Sequence, residues 1–111
     1  MRAELHEGAR LFNAGEYWEA HEAWEGPWLE AKRLGAALEA HYVQGLILLA
    51  AAIHKRRHYG SERGGQRNLE KALRHLEHVP SVHDGLDLAW LAGEVRRALD
   101  DPSLTPQLPL G

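Results

Sequence analysis

The chain has no cysteine. That excludes a disulfide framework and any thiolate chemistry, and it fits a cytoplasmic location. Long apolar runs are missing too. The longest, Val43 to Ile53, is interrupted by Gln44, and it falls well short of the roughly 20 residues a bilayer-spanning helix needs. The N-terminal segment MRAELHEGARLF carries Arg2, Glu4, Glu7 and Arg10, so no apolar signal-peptide core forms there. No run of alternating β-branched residues suggests a strand. Excess positive charge is absent as well. The formal net charge is −3, which argues against general nucleic-acid binding. These absences together predict an unanchored cytoplasmic protein. At 111 residues it is one domain, able to bury a single core without staples.

What is present is helical spacing. Apolar residues recur three and four apart, predicting helices over about residues 2–14, 17–32, 36–57 and 65–77, and a fifth from Leu88 with Asp87 as its N-cap. The first helix buries Ala3, Leu5, Ala9 and Phe12. Asn13-Ala14-Gly15 then forms a turn. The second aligns Tyr17, Ala20, His21, Trp24 and Trp28 on one face, and Gly26-Pro27 is expected to kink or break it near Glu25. The third is apolar on most of its circumference, the signature of a central helix. Gly45 and the alanines Ala50, Ala51 and Ala52 should let its neighbours approach closely. Gly64-Gly65 marks a connection before the fourth helix. The expected fold is all-α: a five-helix bundle over residues 1–101, followed by a proline-rich tail over residues 102–111. The tail should be extended and lie across the bundle through Leu104, Leu108 and Leu110. Gly15-x-Tyr17-x-x-Ala20 resembles the second half of a tetratricopeptide repeat. No second copy follows at the repeat period, so it reads as a helix-turn-helix packing unit.

Eight histidines raise the prospect of a metal or acid–base site. The sharpest constellation is His21-Glu22-x-x-Glu25. A helical zinc-protease motif has histidines at i and i+4 and a glutamate at i+1. Here position i+4 is Glu25, which can still bind zinc, iron or manganese through oxygen. His54 and His58, themselves an i, i+4 pair on the third helix, would complete a metal set of His21, Glu25, His54 and His58. Without metal, Glu22 or Glu25 would act as base and His21 or His54 as acid in a hydrolase. The blander reading makes His21 a core histidine paired with Glu25. Glutamates, Gln44 and His54 share faces with core residues, and burying them is unfavourable unless they pair. That favours a polar pocket.

Three stretches carry a family resemblance: FNAGEYWEAHEAWEGPW (12–28), QGLILLAAAIHKRRHYG (44–60) and NLEKALRHLEHVP (68–80). Together they make the chain similar to the bacterial helical proteins grouped as domain-of-unknown-function family 309. The resemblance implies an all-α bundle without an established activity. It also implies recurring polar residues at Asn13, His21, Glu22, Glu25, Gln44 and His54. Leu48 stands where many members have a second glutamine, and Gly65 where alanine is usual.

The resulting expectation is a small binding domain with a His/Glu/Gln pocket between the second and third helices, lined also by Asn13, Tyr17 and Trp24. The rivals are the hydrolase, with or without a divalent metal such as Zn, Mn or Fe, and a homodimeric interaction scaffold. Charge is uneven: residues 1–40 carry a net −4, residues 41–80 a net +4 and residues 81–111 a net −3. The positive block, Lys55, Arg56, Arg57, Arg63 and Arg67 with Lys71 and Arg74, offers an anionic-ligand site or simply a solvated helix end.

Overall fold

The computed structural model describes residues 1–110. A 3₁₀ turn, Ala3–Leu5, leads into α1 (His6–Asn13). Then come α2 (Tyr17–Arg33), α3 (Ala37–His58) and α4 (Glu62–Leu76). Two short strands, β1 (Val82–His83) and β2 (Leu86–Asp87), precede α5 (Leu88–Asp100). The all-α bundle expected from the spacing is what forms.

The centre is α3. Its Tyr42, Val43, Leu46, Leu49, Ala50 and Ile53 are all at most 1% exposed. α2 and α4 flank it and α5 closes the remaining side. At 22 residues α3 is long and apolar enough, by length and composition, to cross a membrane. Its apolarity is that of a core helix, because neighbouring helices cover those side chains. Close packing against α4 depends on two glycines. A Cβ at Gly45 would lie 2.4 Å from Leu76, and one at Gly65 would lie 3.2 Å from the Ala52 carbonyl oxygen.

Three local expectations are corrected. Pro27 does not break α2, which continues as helix to Arg33. Proline removes one backbone bond there, but the exposed Gly26 and Glu25 beside it leave the ring room to be accommodated. Gly64 and Gly65 are not a connection. α4 begins at Glu62, capped by Ser61, whose Oγ accepts from the Gly64 N–H at 2.8 Å. Residues 82–87 are a hairpin, with Val82 opposite Asp87 and His83 opposite Leu86. Asp84 (φ 55°) and Gly85 (φ 73°) form its two-residue turn, where both positions need positive φ.

That hairpin is tied to α3. Tyr42 donates its hydroxyl to Asp84 Oδ2 at 3.0 Å, and His83 Nε2 meets Glu39 Oε1 at 2.6 Å. The Arg2 guanidinium also donates to Glu39, and its backbone N–H donates to Asp84 Oδ1 at 2.8 Å. Burial, and the Asp84 carboxylate beside it, push the Tyr42 hydroxyl far above its ordinary pKa.

Residues 102–110 carry no helix or strand. Pro106 and Leu108 are buried, whereas Leu104 and Leu110 stay exposed. Two polar residues hold this segment. The Asn13 side chain donates to the Leu108 carbonyl (2.9 Å) and accepts from the Leu108 N–H (2.6 Å), as a strand neighbour would. Arg57 donates to the Ala98 and Asp101 carbonyls at 3.2 and 3.3 Å, and to that of Leu104.

Candidate functional site

On α2 the helical repeat divides the residues of YWEAHEAWEGPW between two environments. Tyr17, Ala20 and Trp24 point into the core and are buried. Trp24 is fully buried and donates its indole N–H to the Leu5 carbonyl at 3.1 Å. Trp28 is half-buried against the same core. Trp18, three residues before His21 and so its neighbour on the helix surface, is 47% exposed.

His21 sits at the boundary. Its Nε2 lies 3.3 Å from Glu25 Oε1. Its Nδ1 is buried without a hydrogen-bond partner among the described residues. Glu22 and Glu25 are exposed. His54, across on α3, does not join this pair by a hydrogen bond. The Trp18 indole connects them instead, with ring centroids 4.8 Å from His21 and 5.3 Å from His54. His54 in turn stacks on His58, at 4.9 Å and 10° between planes. Tyr59, at the end of α3, stands edge-on to both.

Trp18, His54, His58 and Tyr59 thus line an open cleft of about 690 Å³, with Glu16 and Glu19 at its rim. Burial lowers the His54 pKa, and the nearby His58 lowers it further. The imidazole is therefore neutral near pH 7, with one nitrogen to donate and one to accept. Tyr17 lies beneath, its hydroxyl pushed up chiefly by burial and accepting weakly from Arg57 at 3.4 Å.

The other residues singled out by sequence are elsewhere. Gln44 lies ten residues before His54 on α3, about 15 Å along the axis. It lines a different cleft, with Trp28, Lys32, His41 and His75. Asn13 is occupied with the tail. The basic block is dispersed: Lys55 sits over the Tyr59 ring at 5.1 Å, and Arg57 is bound to carbonyls. Arg56, Arg63 and Arg67 line a surface groove that also contains Glu62, Glu70 and Asp100. Among the described residues, no three His, Asp or Glu side chains come together so as to hold a metal ion.

Trp18 and Tyr59 were not singled out by sequence. Trp18 was legible as the exposed aromatic at i−3 from His21. Tyr59 follows the end of α3, where helical spacing stops being informative.

No curated protein matches the sequence. The model of a family described as a domain of unknown function (DUF309) matches residues 5–68. That span holds α1 to α3 and the first half of α4, including every side chain of the Trp18 cleft. It is more than half of the chain, and the protein belongs to that family.

Proposed function

We propose that this protein is a small binding domain whose cleft at the start of α2 and the end of α3 takes a planar aromatic compound bearing N–H donors, neutral or cationic. One observation carries this reading. Two large aromatic rings, Trp18 and Tyr59, are 47% and 65% exposed around the stacked His54–His58 pair, Trp18 tilted against His54 and Tyr59 edge-on to both. Exposed rings offer stacking faces that attract cations; Tyr59 already carries Lys55 Nζ over its ring at 5.1 Å, so Trp18 is the main such face. Glu16 and Glu19 add carboxylate acceptors at the rim. Arg57, the nearest fixed cation in the lining, already donates to three backbone carbonyls. An anion would therefore meet uncompensated carboxylates.

The test is a fluorescence titration with adenine, benzamidine and benzoate. Saturable quenching by adenine and benzamidine, absent with benzoate, is expected. Trp18→Ala should abolish it while changing stability by no more than about 1 kcal/mol, since the side chain is half exposed. Equal binding of benzoate, or quenching that survives Trp18→Ala, would overturn the reading. A cytoplasmic homodimer belongs to the same proposal. The exposed Leu29, Leu34 and Leu38 around the α2–α3 turn support self-association, which light scattering checks.

A further inference from the structure

We infer that the protein has a second binding site, at the opposite end of α3, for a phosphate monoester bearing a small apolar group. Its centre is three histidines from two parts of the chain. His41 Nδ1 lies 3.0 Å from His75 Nδ1, and the His78 ring stacks on His41 at 4.1 Å and 13°. Two nitrogens at that distance share one proton: one donates, the other accepts. Parallel rings cannot aim their in-plane lone pairs at a single ion, so this is not a metal triad. It is a group of imidazoles short of counter-charge.

The surroundings fix the sign of the ligand. Lys32 from α2, Lys71 and Arg74 from α4, and the Gln44 amide complete the polar lining of two adjoining hollows, of about 380 and 320 Å³, that share His41, Gln44 and His75. No carboxylate lines either hollow among the described residues. Three fixed cations with no acid beside them favour an anion, and a doubly charged one over a singly charged one. The larger hollow is otherwise apolar, walled by Trp28, Ala31, Ala36, Ala37 and Ala40. A bare anion would leave that wall unused, whereas an ester with a ring or short alkyl group would cover it. Lys32 Nζ sits 5.7 Å above the Trp28 ring, at the boundary between the two halves.

Binding is therefore linked to protons. Burial depresses protonation of His41 and His75, and the neighbouring His78 and Lys32 add to it, joined at His75 by His41 and Arg74. A dianion placed between them and Lys32, Lys71, Arg74 and His78 reverses that balance and draws protons in. A phosphate monoester itself becomes singly charged below about pH 6. Affinity should then peak between about pH 6 and pH 7, where the ligand is a dianion and the imidazoles are still protonatable.

The experiment titrates phenyl phosphate and inorganic phosphate into the whole protein, followed by calorimetry and by imidazole ¹H–¹⁵N resonances. Phenyl phosphate should bind at least about tenfold tighter than inorganic phosphate, because only it covers the apolar wall. Shifts should centre on His41, His75 and His78. Affinity should fall about tenfold from about pH 6.5 to about pH 8, with net proton uptake on binding. His41→Asn should weaken binding at least tenfold. The surface pair Lys71→Glu/Arg74→Glu, which leaves the core untouched, should do the same, whereas Arg63→Glu/Arg67→Glu should not. Failure of phenyl phosphate to saturate at about 10 mM near pH 6.5, a limit set by ordinary weak affinities, would overturn the site. So would equal weakening by the Arg63/Arg67 pair, which would reduce the effect to general charge.

Discussion

Gly8→Ala tests how α1 is clamped to α2. An added Cβ at Gly8 would lie 2.2 Å from Nε1, 2.4 Å from Cδ1 and 2.5 Å from Cε2 of Trp24. Ordinary contacts sit at about 3.5–4.0 Å, so the indole would have to move by more than about 1 Å. That movement breaks the bond from its N–H to the Leu5 carbonyl and disturbs its packing on Phe12, 6.0 Å between ring centroids. Overpacking costs about 1–3 kcal/mol and a lost buried hydrogen bond about 1–3 more. Alanine returns up to about 1 kcal/mol through helix propensity. The net loss is about 3 kcal/mol, a large share of the roughly 5–15 kcal/mol that holds a domain of this size. Trp24→Ala alone should cost about 3–5 kcal/mol. In that background the space is open, and Gly8→Ala should become neutral or stabilising. Urea unfolding followed by circular dichroism measures all four proteins without relying on tryptophan emission. The loss must vanish or reverse in the Trp24→Ala background, giving a coupling of at least about 3 kcal/mol. A neutral Gly8→Ala in the wild type, or an equal loss in both backgrounds, would refute the clamp.

Asn13→Ala should release the tail: two bonds to Leu108 vanish, stability drops by about 1–3 kcal/mol, and limited proteolysis should cut near residue 104 before the bundle. An unchanged cleavage pattern would mean Leu108 is held by apolar contact alone. Stability should also fall as pH drops below about 6.5, because the folded chain holds His41, His54 and His75 below their ordinary values. In that window the unfolded chain binds more protons, so stability rises with pH. A melting temperature unchanged from pH 7 to pH 5 would contradict this, and His41→Asn with His75→Asn should flatten the slope. Zn²⁺, Mn²⁺ and Fe²⁺ should leave the melting temperature of the wild type where it is, since no three His, Asp or Glu ligands converge among the described residues. A rise that disappears in His21→Gln would reinstate the metal reading through linkage.

The helices were legible because burial repeats with the helical period, and α5 because Asp87 supplies a capping carboxylate that does accept from the Trp90 N–H at 3.0 Å. Gly65 reads as a turn in the sequence because glycine marks either a turn or a close approach, and only the Ala52 carbonyl opposite it decides. The hairpin had its Asp-Gly signal, but strands of two residues show no alternation. The site was harder. Helical spacing tells which side of its own helix a residue occupies, not what lies across from it. His41 and His75 are 34 residues apart, and no local pattern announces their contact. Asn13 reads as a pocket residue through the family resemblance, and Arg57 as part of the positive block. Their partners are backbone carbonyls of the C-terminal segment, to which side-chain type gives no clue.

The two clefts follow from one regularity in α2 and α3. Trp18 lies beside His54, and Trp28 lines the same hollow as Gln44. Both separations are ten residues, with the order reversed, as an antiparallel helix pair joined by a short turn requires. Each tryptophan therefore meets a polar position of α3, and the two meetings are about 15 Å apart along the axis. Between them Trp24 is fully buried and fixed to Leu5, so the middle of α2 is rigid packing. Sites that far apart with no shared partner act independently. Trp18→Ala should consequently erase benzamidine binding and leave the affinity for phenyl phosphate within about twofold, while His41→Asn should do the reverse. If either variant weakened both ligands alike, the two clefts would be parts of one coupled site, and α2 would have to move as a unit between them.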